Sequence, residues 1–152
     1  MSYSMFLGSI LLASAGISFT YGLYASYEAN KSISKKLVFI ICCALSVWSL
    51  GLSITVAAAN EKIAMIGHLL APIGWGLLPG LLLHFTLILT GKEKIIKKWC
   101  LYLMLYSPGL VMLFAFTILP LMGKNADSFT YTNYGWVGVV NYDIWDYLYY
   151  VY

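Results

Sequence analysis

Four long apolar stretches alternate along the chain with short polar, lysine-bearing links. Windows free of Lys, Arg, Asp and Glu run over Met1–Tyr27, Leu37–Asn60, Ile63–Gly91 and Trp99–Gly123. A helix rises about 1.5 Å per residue and the hydrocarbon core of a bilayer is about 30 Å thick, so about 20 apolar residues suffice to cross it. Each window is long enough. None shows the polar alternation of a barrel strand. The pattern predicts an all-α, polytopic transmembrane helix bundle with spans at about 5–27, 37–59, 66–90 and 99–122. Beyond Gly123 the texture changes. Lys124–Tyr142 is rich in Asn, Asp, Thr, Gly and aromatics and reads as a water-exposed or interfacial loop, placed at 123–142. Ile144–Tyr152 is apolar again, but nine residues reach only about 14 Å as a helix. The expectation is the start of a fifth span from residue 143, with a short interfacial helix as the alternative, and hence a partial receptor domain over 1–152.

Composition strengthens the membrane assignment. The 152 residues are 61% hydrophobic and 10% charged, with a mean hydropathy of +0.81. Soluble domains average about 45–50% apolar and about 25% charged. All nine basic residues are lysine. Their placement sets an orientation, because short cytoplasmic loops are enriched in basic residues. Lys31, Lys35, Lys36, Lys92, Lys94, Lys97 and Lys98 fall on one side; only Lys62 and Lys124 fall on the other. The count predicts a multi-pass protein of the cell membrane with an extracytoplasmic N-terminus. The first span lacks a basic leader and reads as a retained anchor. The lysine clusters are explained by orientation and anionic lipid contact, so no nucleic-acid partner is expected.

Chemistry is sparse inside the spans. Carboxylates and ammonium groups at membrane depth mark transport paths, and these windows hold none. His68 and His84 are sixteen positions apart, about 160° around a helix, so no shared metal site is expected. The centre of the third span reads Ala71-Pro72-Ile73-Gly74-Trp75-Gly76-Leu77-Leu78-Pro79-Gly80. Each proline removes an amide donor and crowds the preceding turn, so this helix is expected to kink or unwind. Gly76 and Gly80 have the spacing of a close helix contact. In the first span Ser14, Ser18, Gly22 and Ser26 recur every fourth residue, as Ser49, Ser53 and Ala57 do in the second. Such stripes suit contacts within the bundle or a homodimer. Tyr21, Tyr24, Tyr27, Trp99 and Tyr102 are expected at the headgroup boundary. Cys42, Cys43 and Cys100 show no metal or redox spacing and read as small apolar residues, with palmitoylation conceivable only at Cys100. No phosphate loop, nucleophile elbow, HExxH or kinase signature is present, and no cofactor or catalytic residue is expected.

Four local patterns carry a family resemblance. Lys35-Lys36 leads into a span with Val47-Trp48-Ser49-Leu50-Gly51. A short turn follows at Asn60-Glu61-Lys62. The next span runs Leu78-Pro79-Gly80-Leu81-Leu82-Leu83-His84-Phe85-Thr86-Leu87-Ile88-Leu89-Thr90-Gly91-Lys92. An aromatic segment then carries Tyr134-Gly135-Trp136-Val137. In order and spacing they resemble the N-terminal seven-transmembrane sensor region of bacterial histidine kinases, also found ahead of diguanylate cyclases. The likeness covers nearly the whole chain and the first half of that region; most of helix five, helices six and seven and every output domain lie outside it.

The resemblance implies a sensing input module, apparently truncated before its output, that shifts between two bundle packings when a signal binds. The signal would be an unknown small or lipophilic molecule. Candidate sensing residues are His68, Pro72, Trp75, Tyr134 and Trp136; candidate packing and kink residues are Trp48, Gly76, Pro79, Gly80 and His84. Membrane lipids are the expected surroundings. The alternatives are a small transporter or permease subunit, which would require lumen-facing polar residues and inverted repeats, and a non-enzymatic membrane assembly protein.

Overall fold

A computed structural model describes residues 3–27, 32–92, 99–123, 128–139 and 144–151. Lys31, Lys94, Lys97, Lys98 and Lys124 of the orientation count, and parts of the expected loop at 124–127 and 140–142, lie outside the described residues. Four helices are long and apolar enough to cross a membrane: Tyr3–Tyr27 (α1), Ile33–Ala57 (α2), Glu61–Leu89, and Trp99–Leu121. The third divides into α3 (Glu61–Trp75) and α4 (Leu78–Leu89). The fourth begins as α5 (Trp99–Leu113), widens into a π-turn at Phe114–Ile118 and closes over Leu119–Leu121. A two-stranded antiparallel hairpin follows, β1 (Ser128–Thr132) and β2 (Gly135–Val139), and then α6 (Ile144–Val151).

Successive helices run antiparallel. Gly22 of α1 meets Cys42 and Phe39 of α2, while Gly8 at the other end of α1 meets Ala57. The contacting face of α1 is Ser4, Gly8, Ala15 and Gly22. Of the stripe read from sequence, Gly22 is buried against α2 and Ser18 half-buried, whereas Ser14 and Ser26 point outward. The contact therefore follows a seven-residue repeat, which keeps one seam facing a slightly tilted partner, and not a four-residue one. Two hydroxyls cross this seam: Ser46 Oγ donates to the Ala15 carbonyl at 2.9 Å and Ser53 Oγ to the Gly8 carbonyl at 2.8 Å. Interhelical hydrogen bonds of this kind are worth about 0.6 kcal/mol each in a bilayer. Ser53→Ala is expected to lower stability by about that amount in a detergent unfolding titration, and a loss above ~2 kcal/mol would show that the seam depends on this bond.

The α2–α3 contact is closer still. Gly51, Gly67 and Gly74 let the two backbones touch. The main apolar core lies between α2 and α4, with Leu37, Ile41, Ala44, Leu78, Leu81 and Ile88 buried and Trp48, Trp75 and Phe85 packed against them.

Several element ends depart from expectation for local reasons. The third span starts at Glu61 and not near 66, because the Asn60 side chain accepts the Ile63 amide at 3.0 Å and caps the helix. Lys35 and Lys36 lie within the first turns of α2 and not in a loop. The expected break in the third span occurs at Gly76–Leu77, so Pro79 falls in the first turn of α4, where its missing amide leaves no carbonyl orphaned within that helix. Gly91, at φ 70°, ends α4: its amide reaches the Ile88 carbonyl and the Lys92 amide the Leu87 carbonyl. The largest departure is the hairpin, which occupies most of what the residue types suggest is an irregular loop.

Candidate functional site

The hairpin sits on the end of the bundle that carries the start of α1 and the α2–α3 turn. Thr132 faces Gly135 across an Asn133-Tyr134 turn. Thr132 Oγ1 donates to the Gly135 carbonyl at 2.9 Å and accepts the Tyr134 amide at 3.2 Å, which ties the turn from within. Residues opposite one another share a face, so Phe129, Tyr131, Trp136 and Gly138 form one side. That side docks. The Trp136 indole N–H donates to the Ala58 carbonyl at 3.1 Å, satisfying a group just past the end of α2 that no intrahelical amide reaches. The His68 ring meets Phe129 edge-on at 5.3 Å, and Tyr131 meets Trp136 edge-on at 5.4 Å. Gly135, at φ 108°, lies directly on the Val56 carbonyl, where a Cβ would overlap it. Tyr134 packs on Tyr3 of α1 at 6.4 Å.

Three of the five sensing candidates thus come together here: His68, Tyr134 and Trp136. Pro72 is buried one turn further along α3. Trp75 lies two turns from His68 and rests on Phe116 of the π-turn at 5.7 Å. The π-turn also holds α3 through Thr117, whose hydroxyl donates to the Leu69 carbonyl at 3.1 Å. α3 is therefore gripped at His68 by the hairpin and at Leu69 and Trp75 by the turn that precedes it. The wider turn falls just ahead of Pro120, whose ring would crowd the Phe116 carbonyl in a regular helix.

The packing candidates occupy the rest of the third span. Gly80 lets the Leu105 carbonyl and the Tyr106 ring approach, and Gly76 faces Gly109. His84 is buried; its Nδ1 shares a 2.8 Å hydrogen bond with the Tyr106 hydroxyl, and its ring meets Tyr102 edge-on at 5.4 Å. Tyr102, in the first turn of α5, is part of this cluster. Pro79 lines an apolar cleft of about 340 Å³ between α4 and α5 together with Leu83, Leu87, Leu101, Met104 and Pro108. Tyr106→Phe removes this hydrogen bond between α4 and α5 and is expected to cost about 1 kcal/mol. His84→Leu is expected to cost less, because it removes the buried imidazole itself, whereas Tyr106→Phe leaves the buried His84 Nδ1 without this partner and the Tyr106 hydroxyl is only half-buried; equal losses would argue against that bond.

Phe129, Val56, Ala58, Phe116 and Thr117 were not legible as site residues. The signal for Phe129 lies in two β-branched and aromatic runs, Ser128–Thr132 and Gly135–Val139, separated by a two-residue turn; the other four carry no such signal. Cys42 is buried, Cys43 half-buried and Cys100 exposed. Among the described residues no group of three His, Cys, Asp or Glu could hold a metal ion.

Four membrane-length helices joined by short links define a multi-pass helical membrane module. Residues 10–152 match the family model for the N-terminal 7TM region of histidine kinase, and the chain belongs to that family. No curated protein and no solved structure matches it.

Proposed function

We propose that the chain is the signal-sensing input of a bacterial sensor kinase or cyclase, and that the junction between hairpin and α3 is where a signal acts. The observation that carries this is the double grip on α3. One hairpin side chain, Phe129, touches His68, and the π-turn holds Leu69 and Trp75. A molecule that displaced the hairpin would shift the contacts of the one span that is already interrupted at its centre. Only a ligand with different affinity for the docked and undocked arrangements can move that equilibrium. In this scheme the N-terminus and hairpin face outward across the cell membrane, and the lysine-rich links face the cytoplasm, as the positive-inside rule favours.

Orientation is tested by cysteine labelling in intact cells. Asn60→Cys is expected to react with a membrane-impermeant maleimide and Lys92→Cys to react only after lysis; the reverse result overturns the orientation. The sensing site is tested in the sensor that carries this region. His68→Ala, Trp75→Ala and Trp136→Ala are each expected to change the response about fivefold or more. An unchanged response in all three variants overturns the site.

A further inference from the structure

The outward face of the hairpin is exposed among the described residues. Docking uses Phe129 and Trp136; Thr130, Val137 and Val139 point the other way and are exposed. No residue of 128–139 is charged, which is unusual for a surface that faces bulk water. Beside this face stand two exposed tyrosines: Tyr3 (72%) and Tyr134 (65%). Tyr3 and Tyr134 touch, so the patch runs without interruption from the hairpin tip onto α1, whose Met5, Phe6 and Ile10 are exposed where a membrane-crossing helix meets lipid. Uncharged, tyrosine-rich surface at the end of a spanning helix matches the bilayer interface, where amphipathic rings sit among headgroups.

We propose that Thr130, Val137 and Val139 of the hairpin, with Tyr3 and Tyr134, form a contact surface for phospholipid headgroups and the adjoining acyl carbons. The hairpin then lies in the interface of the bilayer and does not project into water. Its docking on Ala58 and His68 is exposed to the packing and composition of the outermost lipid layer. This assignment rests on the spans and the hairpin geometry and is independent of whether the junction senses a signal.

The test is nitroxide depth measurement on the whole chain in phosphatidylcholine–phosphatidylglycerol vesicles. Cys42, Cys43 and Cys100 are first replaced by alanine, and labels are placed at Thr130→Cys and Val137→Cys, with Ile17→Cys as the mid-span lipid reference. Both hairpin labels are expected to collide with a water-soluble nickel chelate about fivefold less than a free label does, while remaining accessible to oxygen, which concentrates in lipid. Nickel accessibility equal to that of the free label places the face in water and overturns the proposal. Low accessibility to both quenchers places it against protein and also overturns it. Both sites are exposed, and far-ultraviolet circular dichroism equal to that of the unlabelled chain verifies that the labelled proteins retain their fold.

Discussion

Replacing Gly67 by leucine is expected to separate α2 from α3 and unfold the bundle. A Cβ on Gly67 would stand 2.6 Å from the Gly51 carbonyl oxygen and the Thr55 amide. On Gly51 it would stand 2.7 Å from the Ala71 amide, and on Gly74 it would overlap the Ala44 carbonyl and come within 2.6 Å of the Trp48 amide. The obstacles are backbone atoms in regular helix, which cannot rotate aside as a side-chain end can. Relief requires moving one helix away from the other over its length. That movement strips Thr55 Oγ1 of its 3.3 Å bond to the Ala64 carbonyl and opens the packing around Ala64, which is fully buried. Overpacking costs about 1–3 kcal/mol at sites that can adjust, so a loss of about 3 kcal/mol or more is expected here. The readout is the midpoint of a detergent unfolding titration. Gly16 is the control: nothing lies within 4 Å of a Cβ there, so Gly16→Ala should stay within about 0.5 kcal/mol of the parent. Equal midpoints for Gly67→Leu and Gly16→Ala would contradict the close crossing.

The second large effect is expected at Gly135, where alanine releases the hairpin and leaves the helices in place. Two penalties coincide. A φ of 108° is one that L side chains rarely adopt, and the new Cβ would overlap the Val56 carbonyl. Backbone strain of this kind costs about 1–3 kcal/mol, to which the clash adds. The opposing docking contacts include the indole bond to Ala58, the His68–Phe129 edge contact and the Tyr3–Tyr134 contact. Their sum is comparable to the penalty, so the hairpin should undock. Hydrogen exchange is expected to accelerate at 128–139 while amides of α2 and α3 keep their protection. Trp136→Phe, which removes only the indole donor, should give a smaller acceleration, corresponding to about 1 kcal/mol. Undisturbed protection in Gly135→Ala would show that the hairpin is not held at Val56.

The four spans were readable because their signal is large: more than 20 uncharged, mostly apolar residues each, bounded by lysines. The break in the third span was readable too, since two prolines and three glycines in ten residues leave few alternatives. What was missed depends on partners distant in sequence. Ser14 and Ser26 share a stripe with Gly22 on paper, yet only the three-dimensional tilt of α2 decides that Ala15 and Gly8 form the seam instead. Gly51, Gly67 and Gly74 look like ordinary membrane-helix glycines until α2 and α3 are set side by side. The hairpin was hidden because Asn133-Tyr134 lacks the Asn-Gly signature of a tight turn; the glycine lies one residue later, where the approach to Val56 requires it. Of the site, His68, Tyr134 and Trp136 could be named from sequence, whereas Trp75 belongs to a separate contact with the π-turn.

The central claim is that hairpin position is transmitted through α3 as signal. The direct measurement is the output of the sensor that carries this region, in membranes, with Gly135→Ala introduced and hairpin undocking verified by hydrogen exchange in the same preparation. The output is expected to be locked high or low, shifted about fivefold or more from the parent and no longer responsive. An undocked hairpin with an unchanged response would contradict it.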